Sequence, residues 1–324
     1  MIAGHDKQVE QFRQAWDSRT LHHAWLLAGP RGVGKATFAL AAARRLLSEA
    51  AGPEFEASVL DAPDDHPIAR LIAAGSHPDM RWLKRVENQK TGNLARNITV
   101  DQVREVGEFL GLTPALSPWR VVVIDTVDEL EKAAANALLK MLEEPPPNTI
   151  FFLVSHAPGR LLPTIRSRCR RLQLQPLSDA AMTSVLETRL PEMSEAERLA
   201  PIPMAAGSVG RALAFSSLDL GPLERSAAAI LREGDPDNSK RSALASQLGR
   251  KTAADRYAAF LDVLPSLVAH EARNLPDPQR ERALDAYERV RELVAIAPRL
   301  SLDPAATMFQ LGGILASVAV PRVS

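Results

Sequence analysis

The chain has 324 residues, 46% hydrophobic and 24% charged, which excludes a disordered chain and leaves room for two or three folded domains. Lys plus Arg and Asp plus Glu each total 39, and zero formal charge argues against a chain that wraps nucleic acid unaided, since phosphate neutralisation supplies most of that affinity. Cys169 is the one cysteine, so an internal disulfide and a multi-cysteine zinc site are excluded and a reducing cytoplasm is expected. The N-terminus shows no basic segment leading into an apolar stretch, and no apolar run is long enough to span a bilayer. A soluble, cytoplasmic protein is therefore expected. Aromatic residues make up 5%, and the richness in Ala and Leu predicts mostly helix.

In chain order, a strand is predicted over Ala24–Ala28, followed at once by a glycine-rich turn and a helix over Lys35–Ser48. Glu49–Asp65, rich in Ala, Pro, Glu and Asp, reads as a surface loop, and Met80–Leu83 reads as a strand. Glu87–Asn97 is polar and basic and reads as a second loop. Thr99 and Gln102 have the spacing of a capping box that opens a helix over Val100–Leu110. Arg120–Ile124 is the next strand, and a helix over Asp128–Glu144 is stopped by Pro145, Pro146 and Pro147. Thr149–Ser155 and Arg171–Leu174 complete the set of strands. Several of these runs, such as Val121-Val122-Val123-Ile124, are apolar without alternation, as strands are when helices cover both faces of a parallel sheet. Ligands in such open α/β sheets sit at the carboxyl ends of the strands. After Pro176 the pattern is helical: Ser178–Leu190, Glu195–Ala205, then helices from about Gly221 onward. Boundaries near Pro176 and Leu218 divide the chain into residues 1–176, 177–218 and 219–324.

The strongest chemical signal is Gly29-Pro30-Arg31-Gly32-Val33-Gly34-Lys35-Ala36-Thr37, between a strand and a helix, the context a phosphate-binding loop requires. Backbone amides of Gly29, Gly32 and Gly34 and the helix N-terminus would face phosphate oxygens, with Lys35 on the outer phosphates. Ala36 stands where the pattern has a Ser or Thr that ligates Mg²⁺. Thr37 is one step on, turned by roughly 100°, so it should face the inner phosphates or the core. Asp125 ends a buried strand, the place of a metal-supporting carboxylate. The next position, where hydrolysing enzymes keep a Glu that activates water, is Thr126. Both departures fall on metal holding and water activation, so weak ATP or ADP binding and little or no hydrolysis are expected. Thr164-Ile165-Arg166-Ser167-Arg168-Cys169-Arg170 forms a basic turn one strand beyond Asp125. An arginine cluster alone is usually a solvated face; in the same domain as a phosphate loop, it can also enter a neighbour's site and neutralise transferring phosphate.

The phosphate loop preceded by His22-His23-Ala24-Trp25-Leu26-Leu27, the run Ala134–Pro145 with its Leu142-Glu143-Glu144-Pro145 end, and the Ser167-Arg168-Cys169 triplet together resemble bacterial clamp-loader AAA+ subunits. The likeness is strong over roughly the first 175 residues and moderate at Gly207–Leu213. It implies an α/β AAA+ P-loop domain with a parallel sheet, then a small helical lid and an all-α collar that holds a ring. Within that family, gamma and tau motors keep a complete ATP site, whereas the delta-prime type has an altered one and lends the triplet's arginine to a neighbour; Ala36 and Thr126 with an intact Arg168 resemble the latter. The resemblance makes Arg168 a trans-acting arginine finger and Ser155 and Arg211 sensor residues. It implies gamma/tau and delta subunits as partners, and the sliding clamp and primer–template DNA through the assembled complex. Relatives commonly carry a four-cysteine zinc module where this chain has Glu49–Asp65, so no zinc is expected. The alternatives are an active gamma/tau-like ATPase, a P-loop kinase or transferase, and a free-standing DNA-binding protein; Ala36 and Thr126 count against the first, the missing Mg²⁺-ligating hydroxyl against the second, and zero net charge with no recognition motif against the third.

Overall fold

Successive side chains of a strand point to opposite faces of its sheet, and here both faces are apolar and both are covered. The computed structural model describes residues 2, 4–53, 55, 60–87 and 94–319. Among them, strands β1 (Ala24–Ala28), β2 (Met80–Leu83), β3 (Arg120–Asp125), β4 (Thr149–Ser155) and β5 (Arg170–Gln173) form one sheet in the order β2-β3-β4-β1-β5. All its pairings are parallel. Trp25, Leu27, Val121, Val123, Phe152 and Val154 belong to one buried cluster. Their neighbours Leu26, Val122, Ile124, Phe151 and Leu153 belong to a second. That two-sided burial is why the strands lack alternation.

The first cluster takes in Phe12 of helix α1 (Asp6–Asp17) and Phe38, Ala42 and Leu46 of helix α2 (Lys35–Ala51). The rings of Phe12 and Trp25 meet edge-on with centroids 5.0 Å apart. Helix α3 (Pro67–Ala73) adds Ile68 and Ile72. The second cluster is closed by Val103, Val106 and Phe109 of helix α4 (Val100–Gly111) and by Leu138 and Leu142 of helix α5 (Lys132–Glu143). The expected capping box is present: Thr99 N–H donates to Gln102 Oε1 at 3.1 Å and Gln102 N–H donates to Thr99 Oγ1 at 3.4 Å. Ile165 of the short helix α6 (Pro163–Ser167) is buried in the same cluster.

Some expected boundaries move. The helix expected over Asp128–Glu144 begins only at Lys132; Val127–Glu129 form a separate 3₁₀ turn, because the Asp128 carboxylate is spent on groups across the sheet rather than on a helix start. Helix α2 runs on to Ala51, into the region expected to be loop, and its C-terminal turn buries Leu47 and Ser48. Within the two expected loops, residues 54, 56–59 and 88–93 lie outside the described residues. Helices α1, α3 and α6 were not expected.

The chain divides into two compact units, Met1–Pro176 and Leu177–Ser324. The second is helical: α7 (Asp179–Arg189), α8 (Glu195–Leu199), α9 (Ile202–Ala205), α10 (Val209–Ser217), α11 (Gly221–Glu233), α12 (Ser239–Leu248), α13 (Ala254–Ala272), α14 (Asp277–Leu300) and α15 (Pro304–Ala316). The stretch expected as one helix over Glu195–Ala205 is thus two short ones, α8 and α9, with Pro201 between them. Ser178, Ser194, Ser208 and Asp303 cap helix N-termini through their side chains. A small cluster of Leu177, Met182, Leu186, Ile202, Ala205 and Ala212 precedes a larger one built mainly from α11 to α15, which Met204 of α9 and Phe215 of α10 also join. Within the larger one, the buried Glu271 accepts two hydrogen bonds from Arg232, at 2.5 and 2.6 Å, the forked geometry in which a planar guanidinium meets both oxygens of a carboxylate.

Candidate functional site

The carboxyl ends of β1, β3 and β4 lie side by side, with Ala28 in register with Ser155 and Asp125 with Val154. The segments leaving these three strands therefore converge. After β1 comes the glycine loop, with positive φ at Gly29 (154°), Gly32 (76°) and Gly34 (104°). At Gly29 a side chain has no room: a Cβ would lie 2.3 Å from the Leu174 carbonyl oxygen. Gly34 is the N-cap of α2 and supplies no side-chain cap, so first-turn amides are left to meet an anion. The ring of buried His5 donates from Nε2 to the Val33 carbonyl at 2.8 Å and so ties the loop to the segment before α1.

Lys35 is 3% exposed, and its ammonium donates to the carbonyls of Gly29 at 2.8 Å and Pro30 at 2.5 Å. Burial pushes its pKa down to about 8, opposed by the carboxylates of Asp128 and Asp125 and reinforced by Arg31. Asp125, half-buried at the end of β3, has its pKa raised by burial, against hydrogen bonding from Thr126 and the charges of Lys35, Lys84 and Arg31. Thr126 Oγ1 donates to Asp125 Oδ1 at 3.4 Å and lies 3.3 Å from His156 Nε2. A hydroxyl has one proton, so the ring nitrogen is the donor in the second contact. Asp128 binds β4's end, accepting from the Ser155 hydroxyl at 2.8 Å and from the His156 amide at 2.5 Å. Burial, with Lys35 adding to it, lowers the His156 pKa to about 4 despite Asp128.

The structure thus gathers Gly29, Gly32, Gly34, Lys35, Asp125 and Ser155 at one place. Ser155 is fully buried, its hydroxyl held by Asp128 of the same chain. Thr37 is exposed on the first turn of α2 and is not in the core. Arg211 lies on α10, in the second unit. Arg168, at the C-cap of α6, is a third exposed and is held elsewhere: Nη2 is 2.7 Å from Glu143 Oε1, and Nη1 donates to the Thr164 carbonyl at 2.9 Å. The sequence alone assigned no role to Asp128, His156 or His5, and it noted Glu143 only as part of the Leu142-Glu143-Glu144-Pro145 run. Asp128 stood in plain view three residues after Asp125; the other contacts join residues 25 or more apart, and no local spacing announces them.

The uncapped amides at the start of α2 are the groups that would hold the phosphates of a nucleotide, and Lys35 would join them by turning its ammonium from the Gly29 and Pro30 carbonyls. The metal does not fit as well, since Ala36 offers a methyl group where a hydroxyl would ligate Mg²⁺. Among the described residues no group of three or more His, Cys, Asp or Glu could hold a metal ion, and no helix is long and apolar enough to cross a membrane. Position 126, next to Asp125, offers a hydroxyl and no carboxylate.

The chain is similar to several known proteins. It is 41% identical over 159 residues to the DNA polymerase III subunit delta′ of Pseudomonas aeruginosa, covering 49% of this chain and 44% of that one. It is 36% identical over 200 residues to the subunit delta′ of Escherichia coli, covering 60% and 54%. The chain spans about half the length of these curated relatives. Among solved structures, a DNA polymerase III gamma-subunit-related protein of Thermotoga maritima aligns over 94% of this chain and 98% of its own, with 16% identity and a TM-score of 0.44. The model of the family described as "DNA polymerase III, delta subunit" matches residues 4–178, more than half of the chain, and the chain belongs to that family.

Proposed function

We propose that this chain is a delta-prime-type stator of the DNA polymerase III clamp loader: it hydrolyses no ATP itself and lends Arg168 to a neighbouring subunit's ATP site while the sliding clamp is placed on primed DNA. The observation that carries the proposal is the selective damage to its own site. The glycine frame, Lys35 and Asp125 are retained, whereas the metal-ligating hydroxyl is replaced by Ala36 and the water-activating carboxylate by Thr126. Meanwhile a guanidinium that such a chemistry needs in trans is partly exposed on a fixed backbone. On this reading residues 1–176 are the AAA+ P-loop domain, 177–218 the lid that carries Arg211, and 219–324 the collar through which the chain joins gamma/tau and delta in a cytoplasmic ring. The clamp and primer–template DNA are met through the assembly. ATP or ADP binds weakly or not at all.

The test is Arg168→Ala in a loader reconstituted with its ATPase subunits, delta, clamp and primed DNA. The variant should assemble and melt like the parent while DNA-stimulated ATPase falls by roughly tenfold or more, a diluted form of the 10³–10⁵ that a finger supplies at one site. Undiminished ATPase would remove the assignment.

A further inference from the structure

Glu143 is the last residue of α5, and Glu144 caps it. Two carboxylates at a helix C-terminus face the negative end of the macrodipole, the wrong end for them. The local rule is broken where the carboxylate of Glu143 meets the guanidinium of Arg168 at 2.7 Å. Among the described residues, Arg168 is the arginine of the basic turn that is ion-paired with a carboxylate: Arg170 stacks over Trp25 and Arg171 binds the Gln173 side chain. The backbone of Arg168 is fixed as well, its N–H donating to the Ile165 carbonyl at 3.2 Å while Ile165 sits in the core.

We propose that Glu143 is a positioning residue for the arginine finger, holding the Arg168 guanidinium in the direction from which it meets the neighbour's phosphate. This rests on the trans-acting reading of Arg168 given above. The geometry favours a guide over a latch. A guanidinium has five N–H donors; one goes to Glu143 and one to the Thr164 carbonyl, which leaves three for a forked contact with phosphate oxygens. With Arg168 33% and Glu143 48% exposed, the pair is solvent-screened and weak, so a phosphate can draw on the free donors without first breaking it. Fixing the rotamer beforehand removes an orientation cost that would otherwise fall on the transition state.

The experiment uses the full chain in the reconstituted loader and compares Glu143→Ala, Glu143→Gln, Arg168→Ala and the double variant Glu143→Ala/Arg168→Ala. Glu143→Ala should lower kcat for DNA-stimulated ATP hydrolysis by roughly three- to tenfold with KM for ATP unchanged. Glu143→Gln, which still offers an acceptor oxygen, should recover most of that loss. In the Arg168→Ala background, Glu143→Ala should add nothing, since the two act as one unit. An additive loss in the double variant, an unchanged kcat in Glu143→Ala, or a kcat above the parent's would each overturn the guide. If instead Arg168→Ala itself leaves the ATPase intact, the finger reading fails and not merely the role of Glu143.

Discussion

The carboxylate of Asp128 accepts a hydrogen bond from the hydroxyl of Ser155 at 2.8 Å, joining the turn after β3 to the last residue of β4. A second bond, from the His156 amide at 2.5 Å, makes the junction two-pronged. These contacts replace the helix start that the local sequence suggested and hold the end of β4 close to Lys35.

Asp128→Ala leaves the fully buried Ser155 hydroxyl and a backbone N–H without their acceptor. An unsatisfied buried donor costs about 1–3 kcal/mol, so the urea midpoint of the first unit's unfolding should fall accordingly. An unchanged midpoint would show that the junction contributes nothing.

His156 carries a folded-state pKa of about 4 against an ordinary 6.5. Between those values the unfolded chain binds a proton that the folded chain does not, so stability falls as the pH drops from about 6.5 towards 4. His5, His23 and His77, also lowered by burial, act with the same sign. His156→Gln should remove one share of the loss in urea midpoint between pH 7 and pH 5; the same loss in variant and parent would contradict the assignment.

Restoring Ser at Ala36 and Glu at Thr126 should raise Mg²⁺-dependent nucleotide affinity by roughly tenfold, the worth of one or two charge-assisted contacts, while turnover by the isolated chain stays low because no arginine arrives from a neighbour. Isothermal calorimetry with and without Mg²⁺ measures the gain, and no gain would count against a site disabled at those two positions.

The sheet was legible because both its faces are buried: runs such as Val121–Ile124 and Ile150–Val154 read as strands by their lack of alternation. The phosphate loop was legible because its glycines and lysine are contiguous. The 3₁₀ turn at Val127–Glu129 was not, because Asp128 is drawn across the sheet by Ser155 and His156, 27 and 28 residues away. Helix α1 was not expected although Val9, Phe12, Ala15 and Trp16 form one apolar stripe, Phe12 and Ala15 buried and Val9 and Trp16 packed against the same cluster. Arg168 was singled out from its motif, but its partner Glu143 lies on another element, and the pairing exists only once α5 and α6 pack.

The most direct measurement is steady-state ATP turnover by this chain alone, and by the ATPase subunits with delta, clamp and primed DNA in its presence and absence. A non-hydrolysing stator predicts no turnover above background from the isolated chain and a strong rise when it joins the mixture. Turnover by the isolated chain, at a rate ordinary for P-loop ATPases, would show that Ala36 and Thr126 have not disabled the site and would make the chain a motor.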